Sequence, residues 1–399
     1  MFKRIGKLFM REVSTILKDR DVFTLIIIVP IAYAFIYASL YFYKTEERVP
    51  VAVVDVDRSE FSQTFIRRMN ANKLLDVVTV TGDLKEAKNL MSSMTVQGII
   101  YIPHDAETDL KMKKSVTVTA YLNTTRFLVS NDINKAVNDV AFSFSDETRK
   151  IFLQSSGYNS REAETLIEPV RNDIRPLFNT NETYGDYLLP GLLALILHQT
   201  LLIGLSECVA REREFGTIRE MKVTSGGNAF AAITGKALFY FLMFTAYSLF
   251  FFAVTFPVFK INLIGSVPLL IFITSLLILS AIFLSIFVSS FFKRKFVAMI
   301  IIAFTSYPLF FISGYVFPSY ALPVPLQFLS KLFAITPYLS AYNRLTQMGA
   351  GFENIKSEVF SMTIITTVLF ALAWWRVKAL FKKEVSSYPD KSGRKERGS

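Results

Sequence analysis

The chain has 399 residues, 52% of them hydrophobic and 14% aromatic, and only 19% charged. Soluble domains carry about 25% charged residues, so this composition excludes an ordinary soluble globule and points to membrane-spanning segments. The net charge of +11 does not mark a nucleic-acid binder: residues 44–186 hold 18 Lys/Arg against 21 Asp/Glu, and the basic excess sits at the termini and in short loops, where the positive-inside rule places it.

The single cysteine, Cys208, excludes an intrachain disulfide and a cysteine-built metal site. The histidines, His104 and His198, are too far apart in sequence for metal-ligand spacing. Residues 1–21 open the chain. Phe2, Ile5, Phe9, Val13, Ile16 and Leu17 fall at helical spacing, with Lys3, Arg4, Lys7, Arg11 and Lys18 mostly elsewhere. The pattern predicts a basic amphipathic helix on the inner membrane surface. Val22–Tyr43 is uncharged and predicts the first span, an uncleaved anchor with the N-terminus in the cytoplasm.

Residues 44–186 read as an inserted extracytoplasmic α/β domain. Strands are expected at 49–56, 75–80, 96–102 and 115–122, alternating with helices near 59–72 and 83–94, and then a long helix over 124–155 and another near 160–178. The acidic turn Asp55-Val56-Asp57-Arg58-Ser59 can be a cation site or, more commonly for carboxylates at a strand end, a helix cap. Asn123 and Asn181 begin N-x-T sequons, read as accidental.

Residues 187–380 carry five further spans. The second is Leu188–Ser206, with His198, Gln199 and Thr200 at mid-depth, facing either a cavity or a neighbouring helix. A charged segment follows at 211–228, rich in Arg and Glu. Each such charge costs about 2.5–3.5 kcal/mol at the centre of a bilayer, so the segment emerges from it, on the cytoplasmic side by its arginines. The third span is Ala237–Phe259 and the fourth is about 264–290, followed by the basic turn Phe292–Phe296. The apolar run from Phe296 to Ser330 exceeds the roughly 20 residues one span needs. Pro308, Pro318, Pro323 and Pro325 interrupt it, so a fifth span to about Phe317 and an outer re-entrant hairpin over 319–345 are expected. Val359–Trp375 is the sixth span, and 381–399 is a polar cytoplasmic tail. The fold class expected is a membrane all-α bundle of six transmembrane helices with an inserted extracytoplasmic α/β domain.

Chemistry is missing from the motifs. No phosphate-binding G-x-x-x-x-G-K-[ST], no H-E-x-x-H and no nucleophilic Ser/His/Asp or Cys/His arrangement occurs. The chain reads as catalytically silent on its own, with no cofactor or metal.

Two stretches resemble the ABC-2 type transporter permeases, the membrane half of a class of ATP-driven exporters. The first is R-E-R-E-F-G-T-I-R-E-M-K-V-T at 211–224 with G-K at 235–236. The second is S-G-Y-V-F-P…L-P…L-Q-F-L-S at 313–330 with I-T-P-Y-L-S-A-Y-N-R-L at 335–345. The resemblance spans nearly the whole chain and extends to the subgroup with a large insert after the first span. Ser225-Gly226-Gly227 departs from it, standing where the family often has a proline.

The resemblance implies an exporter permease in the bacterial inner membrane, paired with a second copy or a paralogous permease. A separate cytoplasmic ABC ATP-binding subunit would hold ATP and magnesium. A periplasmic membrane-fusion adaptor and membrane lipid are further partners, and nucleic acid is not. It implies coupling to the ATPase through Arg211, Glu212, Arg213, Glu214, Gly216, Thr217 and Glu220. It implies a substrate path past His198, Gln199, Thr200, Thr305, Tyr307, Phe310 and Phe311, whose aromatic, weakly polar character suits an amphipathic, lipid-like or drug-like substrate moved by alternating access. The rival from another class is a membrane-anchored receptor or secretion-system component whose outer domain binds a partner. An ATP-independent carrier is disfavoured by the near absence of intramembrane charge.

Overall fold

The computed structural model describes residues 1–18, 20–40, 48–168, 174–180 and 182–386. The tail from 387 and the Asn181 sequon lie outside the described residues. The chain divides into two compact units, residues 45–175 and the remainder.

The larger unit opens with α1 (Phe2–Lys18), then α2 (Arg20–Phe23), a π-turn over Thr24–Ile28 and α3 (Val29–Leu40). Pro30 has no N–H to give the preceding turn, and the widened turn sits where that donor is missing. The apolar helix here, Ile26–Leu40, is shorter than the others, and the far end of the expected first span falls outside the described residues.

The smaller unit contains β1 (Val49–Asp55), α4 (Glu60–Ala71), β2 (Leu75–Thr81), α5 (Leu84–Ser92), β3 (Gly98–Ile102), α6 (Ala106–Lys111), β4 (Thr119–Leu122), α7 (Phe127–Ser155) and α8 (Ser160–Ile167). The strand order is β2-β1-β3-β4, with β4 antiparallel to β3 and the others parallel. Alternate residues of β1 go to opposite faces: Val49, Val51 and Val53 pack with α4 and α7, while Ala52 and Val54 pack with α5. The acidic turn is a cap. Asp55 accepts from the Arg58 N–H at 2.9 Å and the Ser62 hydroxyl at 2.8 Å, and Ser59 caps α4 through the Ser62 N–H. Asp57 accepts from the Ser59 hydroxyl and, at 3.1 Å, from the Glu107 N–H. The helix expected near 160–178 ends at Ile167, two residues before a proline, which disfavours helical backbone at the residue it follows.

The chain then continues through α9 (Tyr184–Leu205), α10 (Ala210–Glu214), α11 (Ile218–Ser225), α12 (Ala229–Phe250), a second π-turn (Phe251–Thr255), α13 (Phe256–Val258), α14 (Val267–Ser289) and α15 (Lys295–Ile312). A short 3-10 turn (Ser319–Ala321) leads to α16 (Val324–Ser330), α17 (Ile335–Met348) and α18 (Phe352–Ser386). Among the described residues, five helical stretches are long and apolar enough to cross a membrane: Tyr184–Glu214, Ala229–Val258, Val267–Ser289, Lys295–Ile312 and Phe352–Lys383. α9 is the centre of the bundle, packed by α3, α14, α15 and α17 and buried along most of its length, whereas α12, α15 and α18 keep broad apolar faces exposed.

The run after α15 folds as two short helices, with α17 packed into α9, α14 and α18. Tyr315, in the turn after α15, stacks on Tyr187 at 5.6 Å between ring centroids. Its hydroxyl donates to the Tyr187 carbonyl at 2.6 Å and accepts from the Gly191 N–H at 3.1 Å. α18 begins seven residues before the expected sixth span, with Arg344 of α17 paired to Glu358 on its first turns.

Candidate functional site

The charged segment between α9 and α12 folds into an elbow made of α10 and α11. Its geometry follows from how its charges are satisfied. Glu212 is buried, its oxygens 2.8 Å from the Lys236 ammonium and 2.7 Å from the Arg11 guanidinium, and it also accepts from the Thr217 hydroxyl. Lys236, at the start of α12, is equally buried and bonds Glu12 of α1 on its other side. The second Glu12 oxygen lies 3.5 Å from the Tyr240 hydroxyl. Arg11 also reaches Glu220 at 3.7 Å.

Two cations and two carboxylates thus close into a cluster of zero formal charge joining three elements: α1, the elbow and α12. A buried ion keeps its place only with such partners, since removing one leaves an uncompensated charge at about 3–5 kcal/mol. A cavity of about 550 Å³ opens beside the cluster, lined by Arg11, Lys236 and Tyr240 and by Arg211 and Phe215 of the elbow.

α1 reaches this cluster because Leu8, Glu12 and Ile16 fall four residues apart on its buried face. At the crossing with α12, Gly235 leaves room for Leu8: a Cβ there would stand 2.5 Å from the Leu8 Cβ.

The elbow also holds the ends of the other helices. Arg213 donates to the Ser290 and Phe292 carbonyls, at 2.8 and 3.0 Å, where α14 ends, which satisfies terminal carbonyls that the helix cannot. Glu214 accepts from the Lys295 N–H at 2.7 Å, at the positive start of α15. Lys222 donates to the Phe381 carbonyl of α18 at 2.7 Å. α11 ends in the left-handed Gly226, whose N–H returns to the Val223 carbonyl and that of Gly227 to Lys222. The glycine pair is therefore the stop signal of α11.

The expected coupling residues divide accordingly. Glu212 and Arg213 serve the interior; Arg211 and Thr217 are half-buried; Glu214, Gly216 and Glu220 are exposed. On the exposed edge stand two apolar side chains outside the expected coupling set, Phe215 at 64% and Val223 at 73% exposure, with Arg219 between them in sequence. Glu12 is absent from the sequence expectations, and Lys236 enters them only within the G-K pair at 235–236. Each had a signal: Glu12 is the only acid among the first 18 residues, and Lys236 is the only charge between Asn228 and Phe259.

The expected path residues lie on different surfaces. His198 and Thr200 are buried inside the bundle, Thr200 donating to the Ile196 carbonyl at 2.6 Å, and Gln199 is half-buried. The His198 Nδ1 and Gln199 Nε2 atoms are buried without a hydrogen-bond partner among the described residues. On α15, Thr305, Tyr307 and Phe311 face outward, and Phe310 is buried with its ring 6.0 Å from that of Tyr315.

The molecule is thus an apolar helix bundle whose charged elbow ties several helix ends together. Residues 21–375 match the ABC-2 family transporter protein family, and the chain belongs to it. It is similar to the probable multidrug ABC transporter permease YbhR of Escherichia coli, 22% identical over 387 residues that cover 96% of this chain and all of the relative. It is also similar to the probable multidrug ABC transporter permease YbhS of the same organism, 20% identical over 380 residues, 94% of this chain and 97% of the relative. The chain is thus a multi-pass membrane protein of the ABC permease type. The family implies that ATP is hydrolysed by a partner subunit.

Proposed function

We propose that the chain is the permease subunit of an ATP-driven exporter in a bacterial inner membrane, with six crossings, both termini cytoplasmic, and residues 44–186 outside. Two such subunits, identical or paralogous, dock on two cytoplasmic ATP-binding subunits. The observation that carries this reading is the elbow. It displays Phe215 and Val223 to solvent while its charged side chains hold α1, α12 and the ends of α14, α15 and α18. Exposed apolar side chains among charges are the composition of a protein interface. A displacement of the elbow by a closing ATPase pair is passed to the helices that its charged side chains hold.

The substrate is an amphipathic, lipid-like or drug-like molecule taken from the cytoplasm or inner leaflet. The outward Thr305, Tyr307 and Phe311 of α15 line its path at the contact between two permeases, and His198, Gln199 and Thr200 belong to α9, on which α15 packs. The names of the relatives, which specify multidrug permeases, support a drug-like substrate. A periplasmic adaptor meets the outer domain.

Co-purification tests the reading. The wild-type chain, co-expressed with its genomic ATP-binding neighbour, retains that subunit through affinity purification, and Val223→Arg loses it while inserting and folding normally. Retention by Val223→Arg together with full drug-stimulated ATPase activity would remove the elbow from its role.

A further inference from the structure

The smaller unit contains a cavity that the transport reading does not use. It lies between α7 and the segment joining α6 to β4, with a volume of about 640 Å³, within the range of about 300–1,000 Å³ typical of small-molecule sites. Its floor is aromatic: the Phe144 ring meets Phe61 edge-on at 5.0 Å and Phe65 at 6.0 Å, and Phe152 extends the surface outward, 40% exposed. Its charged lining residues are Lys113, Lys114 and Arg149, and no Asp or Glu lines it. That bias runs against the unit as a whole, where residues 45–175 hold 17 Lys/Arg and 19 Asp/Glu.

The cations are placed at the mouth. Lys113, in left-handed backbone, sets its ammonium 4.3 Å over the Phe152 ring. Lys114 reaches Asp109 at 3.2 Å across an exposed pair, which solvent weakens. Arg149 is exposed one turn of α7 from Phe152.

We propose that this cavity binds an amphiphilic anion, its acyl chain on Phe61, Phe65 and Phe144 and its head group against Lys113 and Arg149. An aromatic floor rewards apolar length, and a rim of one charge sign selects the head. A cationic amphiphile meets like charge there, and a strongly polar anion leaves the aromatic floor wet. The site needs no ATPase and no second permease, so its failure and the failure of the transport reading are separate results.

The test is photolabelling of the full chain in phosphatidylcholine nanodiscs. The probes are a diazirine-bearing C12 carboxylate and its alcohol-headed analogue, with adducts located by peptide mass spectrometry. Saturable carboxylate adducts are expected on α7 and on residues 113–118. Unlabelled fatty acids should compete with about threefold to fourfold tighter midpoints per added methylene until the cavity is filled, the equivalent of about 0.8 kcal/mol each. Thr148→Trp, which fills the cavity, should cut these adducts at least tenfold. Arg149→Glu, a surface change that spares the core, should weaken the carboxylate probe severalfold and leave the alcohol unchanged. Adducts confined to the membrane helices, adducts in the smaller unit indifferent to both variants, or no dependence on chain length would each overturn the proposal.

Discussion

Lys236→Met is the sharpest perturbation of the elbow. It leaves Glu12 and Glu212, both buried, with Arg11 as their only cation in the cluster. Loss of one member of a buried ion group costs about 3–5 kcal/mol, roughly two to three and a half orders of magnitude in the folded ratio. For a unit of this size that corresponds to a fall in Tm of about 5–15 °C. The same reasoning gives a rescue. Glu12→Gln combined with Lys236→Met removes one charge of each sign and leaves the Arg11–Glu212 pair intact at 2.7 Å. The double variant should recover most of the loss, to within about 1–2 kcal/mol of wild type, with a coupling energy of a few kcal/mol between the two sites. The assay is thermal unfolding of the purified protein in nanodiscs, followed through ATPase-independent tryptophan emission. A Lys236→Met protein as stable as wild type, or a double variant that falls by the sum of the singles, would refute the claim that these four charges form one unit.

Two further outcomes follow from the packing. Tyr315→Phe removes the hydroxyl shared by the Tyr187 carbonyl and the Gly191 N–H; it should lower stability by about 1–3 kcal/mol, seen as faster hydrogen exchange at the start of α9, and unchanged exchange there would contradict the assigned bond. Gly235→Ala puts a methyl against Leu8, so it should loosen α1 and raise its proteolytic sensitivity, with Leu8→Ala in the same chain restoring protection.

Much of this architecture is written in local pattern. A run of valines marks β1 to within one residue of Val49–Asp55, and the uncharged runs mark α9 and α14, while α12 starts eight residues before the expected Ala237 because its first turns carry Lys236. Local pattern failed where distant residues decide. Glu212 reads as one of several surface charges because its cationic partners stand at positions 11 and 236. Only the docking of α1 across Gly235 brings them together. The start of α18 is hidden in the sequence because Glu353, Lys356 and Glu358 resemble a loop by hydropathy, whereas the helix simply extends beyond its apolar section and pairs Glu358 with Arg344. The elbow is legible in its charges, yet its exposed edge is marked by Phe215 and Val223, because several of the charges hold neighbouring helices.

The central claim is that the elbow is the surface on which a separate ATP-binding subunit acts. Site-specific cross-linking tests it most directly. The native Cys208 is buried, so Val223→Cys introduces the reactive thiol. With a short thiol-to-amine linker in inverted membrane vesicles, this variant should form a defined adduct with the co-expressed ATP-binding subunit, its yield changing between ATP-bound and nucleotide-free states. No adduct from this position, with efficient adducts from a cysteine in the 45–175 unit instead, would contradict the account.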